Sequence, residues 1–361
     1  MSSSWGNLIK ISIFGESHGT AIGVVLDGLP SGMPIDMEAL LLFMDRRRPG
    51  KDRFSTSRRE TDYPHIVSGY YRGQTTGTPL AIVIQNGDTH SADYTEMEHI
   101  ARPAHADYTG YLRYQGAQDP RGGGHFSGRL TAPLVAAGGI AIQILQKHQI
   151  AIGAHIASVG NQYDLPFDPV RLNEETLLAP GKKPFPVVDD MAGKKMQELI
   201  ENCRMTQDSI GGVVECGIIG FPPGIGSPMF DGLENRLASL IFGIPAVKGL
   251  EFGAGFDTAR HLGSQMNDPF CIENGEIRTS TNHHGGILGG ISSGMPIMLR
   301  VAFKPTPSIS RPQSTVDFKT MENTQLSIQG RHDPCVVPRA VPCVEAAAAL
   351  ALLDAWMERN S

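Results

Sequence analysis

A serine and a histidine stand side by side in FGESHG, residues 14–19, between two apolar runs. Three interpretations are open: His18 as a proton donor or acceptor, Ser17 and His18 as a nucleophile and its base, or both as polar residues of a turn. The flanking segments NLIKISIFG and TAIGVVLDGLP show the patterns typical of strands, which predicts that the pair lies at the tip of a β-hairpin. The hairpin alone does not choose among the three interpretations.

A dense run of cations follows in DRRRPGKDRFSTSRRE, residues 45–60, where seven Arg and Lys side chains occur within fourteen positions. A solvated helix end explains many such runs, because cations complement the negative end of the helix dipole. This run, however, continues past Pro49 into a loop, in a chain whose net charge is −6. Guanidinium groups match the geometry of phosphate and carboxylate groups, so the local excess favours an anion-binding site.

A glycine-rich segment, PRGGGHFSGR, spans residues 120–129 and places three consecutive glycines before His125, Phe126 and Ser127. An apolar helix is predicted to begin there, and backbone N–H groups at a helix start can bind a phosphate group. The P-loop spacing is absent, however, and a flexible surface loop explains the glycines equally well.

Two further segments combine Arg, His and Asp. RPAHADYTG holds His105 between Arg102 and Asp107, where a structural histidine is the commoner outcome. IQGRHDPCVVPRAVP places Arg331 and Asp333 ahead of a helix rich in Ala and Leu. Asp333 is therefore either the edge of a site or the N-cap of that helix.

Composition weighs against several classes of protein. A net charge of −6 and a pI of about 6.1 disfavour a general nucleic-acid binder, which is usually basic. The five cysteines are widely spaced without a CxxC pair, which indicates reduced thiols. The acidic stretch at residues 88–99 matches no metal-ligand spacing, so we expect no metal. Because a signal core and a run of about 18 apolar residues are both absent, we expect a cytoplasmic protein that binds no membrane.

Periodicity predicts the elements that position these residues. Strands are expected around FGESHG and at 64–72, 78–85, 150–159, 212–219 and 296–303. Helices are expected at 34–50, 127–147, 189–204, 232–242 and 338–359. The mixed order favours α+β layers over a doubly wound parallel sheet. SSGMPIMLRVAFK is similar to the earlier TTGTPLAIVIQN, which suggests a duplicated βα core, and the proline-rich stretch 161–188 is expected to run over the surface.

Several segments, taken in order, resemble one family. They are GESHG with VVLDGLPSGMP, RRRPGKDR, RPAHADYT, RGGGHFSGR, GGILGGISSG with KPTPSI, and GRHDPC with RAVPCVEA, and they extend from residue 15 to residue 346. Together they resemble the chorismate synthase family. The resemblance implies one domain over residues 1–361, with an α+β fold in which a helical core lies between two antiparallel sheets as a layered β-α-β sandwich. It also implies a homotetramer.

The same resemblance implies an activity, the last step of the shikimate pathway. Phosphate is eliminated from 5-enolpyruvylshikimate 3-phosphate in a 1,4-anti sense to give chorismate, with reduced FMN as cofactor and no net redox change. The substrate carries a phosphate and two carboxylates, and this charge fits the clustered arginines. Some members also have an NADPH-dependent flavin reductase activity. This chain shows no added nucleotide-binding fingerprint, so we expect it to depend on an external flavin reductase.

Roles follow from the resemblance residue by residue. His18 would protonate the departing phosphate, His105 would protonate the reduced flavin, and Asp333 would keep flavin N5 deprotonated. Substrate anions would be held by Ser17, Arg47, Arg53, Arg102, Arg129 and Arg331. FMN would be held by His125, Phe126, Ser127, Pro245, Ala246, Gly289, Lys304, Pro305, Thr306, Pro307, Ser308 and Arg331.

The chain departs from the family pattern at three positions. Ala104 stands where glycine is usual, which puts the shape of the turn before His105 in question. His125 replaces an arginine, which bears on one anion contact. Pro245 replaces an asparagine, so we expect one side-chain hydrogen bond to the flavin to be lost. Two other functions stay open on sequence alone: a flavin- or phosphate-binding protein without turnover, and a metal-dependent hydrolase that uses residues 88–99.

Overall fold

The protein is described by a computed structural model that covers residues 3–50, 60–87, 99–328 and 333–360. Its strands are β1 (Ser4–Trp5), β2 (Lys10–Gly15), β3 (Ala21–Asp27), β4 (His65–Ser68), β5 (Tyr70–Tyr71), β6 (Gln74–Thr75), β7 (Leu80–Gln85), β8 (Ala151–Val159), β9 (Gln162–Tyr163), β10 (Gly212–Ile219), β11 (Val247–Phe252), β12 (Phe270–Glu273), β13 (Glu276–Thr279), β14 (Ile287–Leu288), β15 (Ile291–Ser292), β16 (Ile297–Phe303), β17 (Gln313–Asp317) and β18 (Glu322–Leu326).

The helices are α1 (Met37–Arg47), α2 (Asp107–Tyr114), α3 (Thr131–Gln146), α4 (Glu174–Leu178), α5 (Asp190–Met205), α6 (Leu233–Ile241), α7 (Gly263–Met266) and α8 (Val337–Asn360). Each predicted strand and helix is present. Asp36 caps α1, because its side chain accepts from the N–H groups of Glu38 and Ala39. The regular part of α3 begins only at Thr131, after a short 3-10 turn.

Two antiparallel sheets of five strands form the outer layers, in the orders β1-β2-β3-β7-β4 and β11-β16-β10-β8-β9. The register of β3 with β7 places Ile22 opposite Ile84, Val24 opposite Ile82 and Leu26 opposite Leu80. All six side chains are fully buried, because alternate residues of a strand point to one face. That face of the first sheet covers the helical layer.

Helices α3 and α8 form the centre of the layer between the sheets. α3 contacts β3 and β7 of the first sheet, and α8 contacts β8 and β10 of the second. The two helices also contact each other closely: a Cβ on Gly138 would lie 2.2 Å from the Cβ of Ala346. The predicted α+β sandwich with a helical core between two antiparallel sheets is confirmed.

Two segments of the described chain, Gly128–Gln146 and Val337–Arg359, are long and apolar enough to cross a membrane. Their most apolar windows are 83% and 89% buried inside the protein. Their composition is therefore explained by their position between two sheets, where a helix is apolar on every side.

The order of elements repeats in the two halves of the chain. Apart from inserted elements, of which the 16-residue helix α5 is the longest, the first half runs β2, β3, α1, β4, β7, α3 and the second runs β8, β10, α6, β11, β16, α8. The strand orders β2-β3-β7-β4 and β8-β10-β16-β11 correspond as well. The similar segments TTGTPLAIVIQN and SSGMPIMLRVAFK lie at β7 and β16, which take equivalent places. This agrees with the predicted duplication.

The stretch 161–188 covers the second sheet and contains β9 and α4. Its residues Phe167, Leu172 and Leu177 are buried and form a small second apolar cluster with Ala151 and Met298. The stretch was expected to run over the surface. It does cover the second sheet, but its own buried apolar residues also anchor it there.

A buried imidazole also holds this covering layer in place. Both ring nitrogens of His155 contact carboxylates: Nδ1 lies 2.9 Å from Asp164 and Nε2 lies 3.0 Å from Glu215. Burial lowers the pKa of His155, but the hydrogen bonds to the two carboxylates outweigh this effect and raise its pKa above the ordinary value.

The His155 cluster predicts a pH-dependent contribution to stability. The pKa of His155 is higher in the folded state than in the unfolded state. Its full contribution to the free energy of unfolding is therefore present below the unfolded-state pKa of about 6.5, and it is lost as the pH rises through the folded-state pKa. His155→Gln, which donates through one nitrogen only, should lower the free energy of unfolding by roughly 1–3 kcal/mol at pH 6 and by less at pH 9. Denaturant unfolding at both pH values measures this difference. The exposed His148, changed to Gln, is the control, and an equal loss at both pH values would contradict the prediction.

Candidate active site

A cavity of about 580 Å³ lies where the two halves of the chain meet. Equivalent parts of the two halves line it: the residues after α1 and after α6, and the beginnings of α3 and α8. Two helix N-termini therefore border the same space. The dipoles of the two helices favour an anionic ligand there.

Most of the predicted site residues line this cavity. They are Ser17, His18, Arg47, Arg102, His105, His125, Phe126, Ser127, Arg129, Pro245, Ala246, Lys304, Thr306, Pro307, Ser308 and Asp333. Their segments are far apart in the sequence, and the fold brings them together.

The hairpin tip and the triple-glycine segment contact each other at the cavity wall. The β2–β3 pair is a hairpin as predicted, and the N–H of Ser17 donates to the carbonyl of Gly124 at 3.1 Å. A Cβ on Gly122 would lie 2.0 Å from Nδ1 of His18, and a Cβ on Gly123 would lie 3.0 Å from Nε2 of His105. The glycine loop therefore runs between the two histidines, and only glycine fits this approach.

His105 belongs to a compact group with Arg102 and Asp107. Its Nδ1 lies 2.7 Å from Oδ1 of Asp107, while Arg102 donates from Nε and Nη2 to the two carboxylate oxygens at 2.7 Å each. Burial raises the pKa of Asp107, but the hydrogen bonds from Arg102 and His105 outweigh it and hold that pKa well below its usual range. Asp107 is consequently ionised at any working pH.

A second buried carboxylate joins two of the predicted anion-binding arginines. Asp62 accepts from Arg47 at 2.9 Å through Oδ2 and from Arg129 through Oδ1. Burial lowers the pKa of Arg47 to about 10, although the charge of Asp62 opposes this. Asp62 thus holds both guanidinium groups without lining the cavity itself. Its own backbone has a left-handed φ of 51°. Asp62 was not predicted as a site residue, because nothing in its local sequence pattern marks it.

Asp333 lies at the cavity wall and forms an ion pair with Arg339. α8 begins at Val337, so Asp333 is not its N-cap residue. Arg339 also donates from Nε to the carbonyl of Arg47 at 2.9 Å, and it lines the cavity. Arg339 was not predicted as a site residue, although its position is a signal: a cation in the first turn of an apolar helix is electrostatically unfavourable.

The wall from the second half is mainly apolar. The residues after α6 contribute Phe242, Ile244, Pro245, Ala246 and Val247. On this side the Oγ1 atom of Thr306 is buried and has no hydrogen-bond partner among the described residues. A buried hydroxyl normally has a partner, so this atom is suited to a bound ligand.

At two of the three positions that depart from the family pattern, the structure shows how the different residue is accommodated. Ala104 adopts a left-handed φ of 59°, so the turn before His105 keeps a shape that favours glycine. Lys304 crosses to this turn and donates to the carbonyl of Ala104. His125 contacts the carbonyl of Gly15 through Nδ1 at 2.8 Å and thereby ties the glycine loop to the hairpin. Pro245, which replaces an asparagine of the family pattern, has no hydrogen-bond donor in its side chain.

Some predicted residues do not line the cavity. Gly289 lies in the β14–β15 turn, beside the beginning of β16, whereas the cavity lies past the end of that strand. Seven residues of strand separate the two by roughly 20 Å, so a flavin contact from Gly289 of the same chain finds no support in this geometry. Pro305 packs against Gly211. Arg53 and Arg331, and all but the last residue of the acidic stretch 88–99, lie outside the described residues.

A sequence model of the chorismate synthase family matches residues 9–357. The chain belongs to the chorismate synthase family. Its chorismate synthase relatives include that of Thermococcus kodakarensis, 45% identical with 99% of this chain and 98% of the relative covered, and that of Methanococcoides burtonii, 47% identical with 97% and 94% covered. A crystal structure of a chorismate synthase superposes with a TM-score of 0.78 at 28% identity, covering 98% of this chain and 93% of that one. The family resemblance is confirmed along nearly the whole chain.

The close approach of the glycine loop to His18 predicts the effect of Gly122→Ala. The new methyl group would displace the imidazole, because the space for it is already filled. A φ of 60° adds left-handed strain of about 1–2 kcal/mol. We expect at least a tenfold fall in turnover. Gly73→Ala is the control, since Gly73 has a φ of 84° and a methyl group added there would meet no atom within 4 Å. Equal turnover in the two variants would contradict the prediction.

Proposed function

We propose that this chain catalyses the 1,4-anti elimination of phosphate from 5-enolpyruvylshikimate 3-phosphate to give chorismate. It would act as a lyase, with residues 1–361 as one chorismate-synthase-like domain. The observation that carries the proposal is the composition of the cavity. Four guanidinium groups, each held by a carboxylate, border the same space as two histidines on either side of a glycine loop: Arg47, Arg102, Arg129 and Arg339.

The charge of the cavity suits this substrate. A phosphate and two carboxylates need several cations, and fixed guanidinium groups bind such anions through paired hydrogen bonds. A guanidinium group has five N–H donors. The arginines of the cavity use some of them on carboxylates and other protein acceptors, as Arg129 does with Asn86 and the carbonyl of Gln85. The remaining donors would be available to a ligand. The ion pairs fix the arginines before the ligand arrives, so less reorganisation is needed when charge develops on the leaving phosphate.

The apolar wall suits FMN. Phe126, Pro245 and Ala246 would contact the ring system, Thr306 would donate or accept through its buried Oγ1, and Lys304 would add positive charge. Burial, and then the charge of Lys248, lowers the pKa of Lys304, and an anionic group nearby would offset both effects. The chemistry expected from reduced FMN is a transient supply of electron density that returns to the flavin, without net oxidation.

The proposed proton-transfer residues all line the cavity. His18, at the hairpin tip, would hold a proton for the leaving phosphate oxygen, and Ser17 beside it would bind the anion. His105 would hold a proton toward the flavin, and Asp333 would keep a carboxylate oxygen as a proton acceptor on the side of α8. Arg53 and Arg331 remain proposed ligands of the substrate and, for Arg331, of FMN. The contribution proposed for Gly289 would have to come from another copy of the chain.

An anaerobic assay with chemically reduced FMN and the enolpyruvyl substrate tests this function. We expect phosphate and chorismate to be released by the wild type. His18→Ala and His105→Ala should each lower kcat about 100-fold or more, because each removes a proton-transfer group. The Kd for FMN should change less than about threefold, since binding depends on other residues. His284→Ala, which removes a partly exposed histidine outside the cavity lining, is the control.

The outcomes separate the competing functions. FMN binding without phosphate release, under full reduction, would indicate a binding protein without turnover. Loss of activity on metal chelation would favour a metal-dependent hydrolase. In a parallel reaction with oxidised FMN and NADPH, we expect no product until an external flavin reductase is added. Product without that addition would show that this chain reduces its own flavin.

We also propose that the chain assembles as a homotetramer. The β12–β13 hairpin carries Phe270, Ile272 and Ile277 on one face, and these side chains are 69%, 80% and 73% exposed. A two-stranded hairpin with such an exposed apolar face usually packs against a partner.

Sedimentation of the wild type and of Ile272→Glu tests the assembly. The wild type should sediment as a tetramer, and the variant should dissociate at least partly, because a buried charge opposes association. Val67→Glu, which changes an exposed apolar residue of β4, is the control. A wild type that sediments as a monomer would overturn the proposal.

A further inference from the structure

The geometry points to Asp107 as a positioning residue that decides which nitrogen of His105 carries the proton. This inference rests on the proposed function, because it assigns a role to the second proton-transfer histidine. Asp107 lies at the first position of α2, with its carboxylate directed back to the turn that carries Arg102 and His105. It was not among the residues that sequence analysis assigned to the site.

Two groups compete for a hydrogen bond with Nδ1 of His105. Oδ1 of Asp107 lies 2.7 Å from that nitrogen, and Nη2 of Arg102 lies 3.1 Å from it. A carboxylate only accepts hydrogen bonds and a guanidinium only donates them. Asp107 therefore requires a hydrogen on Nδ1, whereas Arg102 alone would require Nδ1 to be an acceptor. The shorter contact and the ionised state of Asp107 favour the Nδ1–H form.

Arg102 in turn holds the carboxylate in place. Asp107 accepts from the backbone N–H of Arg102 at 3.0 Å and from Nε and Nη2 at 2.7 Å each. These three donors and the imidazole occupy both carboxylate oxygens, so the side chain has one orientation. With Nδ1 committed to Asp107, Nε2 becomes the nitrogen that can exchange a proton.

The remaining nitrogen faces the part of the cavity bordered by the glycine loop. A Cβ on Gly123 would lie 3.0 Å from Nε2. Lys304 donates to the carbonyl of Ala104, the residue before His105. Asp107 therefore holds the imidazole on its Nδ1 side, and the backbone of Gly123, which has no side chain, lies close on its Nε2 side. This fixed ring would present Nε2 to the ligand.

Asp107→Asn tests the inference because it changes the hydrogen-bonding pattern while keeping the shape. The single amide oxygen would turn to the donors of Arg102, and the amide NH2 would then face Nδ1. Nδ1 would become an acceptor and the proton would move to Nε2. We expect kcat to fall about 100-fold, with the KM for the substrate and the Kd for oxidised FMN changed less than about threefold.

A double-mutant cycle separates positioning from a general structural role. In a His105→Ala background, Asp107→Asn should lower kcat by less than about threefold, because the residue it positions is gone. Additive losses would overturn the inference, and so would an Asp107→Asn enzyme with wild-type kcat. A fall in FMN affinity as large as the fall in kcat would also overturn it. If the wild type itself releases no phosphate, the proposed function fails, and this inference fails with it.

Two further variants complete the test. Asp107→Glu keeps the carboxylate and the favourable negative charge at the start of α2, so it should fold and recover part of the kcat that the Asn variant loses. No recovery in a folded Glu variant would count against the inference. Asp268→Asn is the matched control, since Asp268 lies 2.6 Å from Nδ1 of His284 outside the cavity lining. Its kcat should stay within about twofold of the wild type, and a fall like that of Asp107→Asn would overturn the inference.

Discussion

The close contact between α3 and α8 is the constraint on which the rest of the structure depends. Gly138 and Ala346 have so little side chain that the two helices can approach directly, and both helices are buried along most of their length. Because the helices occupy the space between the sheets, their first turns border one cavity. A larger residue at Gly138 would separate the two halves, and the site lies between those halves.

The cavity has two kinds of wall, and the internal repeat explains why. The end of α1 contributes Arg47, and the equivalent end of α6 contributes Phe242, Ile244 and Pro245. One architecture, used twice, thus supplies a cationic wall and an apolar wall at corresponding places. A ligand rich in negative charge suits the first wall and a flat ring system suits the second. Duplication followed by divergence of loop residues would account for a cavity with two such different walls.

Buried carboxylates behind the cavity hold the functional groups in position. Asp62 joins Arg47 to Arg129, and Asp107 joins Arg102 to His105. Without these carboxylates, buried guanidinium groups would repel each other and lose their hydration without compensation. The acidic residues therefore allow several cations to share a small space in a protein whose net charge is −6.

The sequence by itself determined the layered α+β fold, the strand and helix positions and most of the cavity residues, because periodicity, turn residues and family motifs are local properties of the chain. It also indicated the repeat, through the similarity of β7 to β16. Only the tertiary structure decided which polar partners meet. Asp62 joins two arginines that lie 15 and 67 positions away, and Arg339 donates to the carbonyl of Arg47 across 292 positions. The placement of Gly289 away from the cavity follows from the length of β16. These are relations between segments, set by sheet register and helix packing, and no local pattern encodes them.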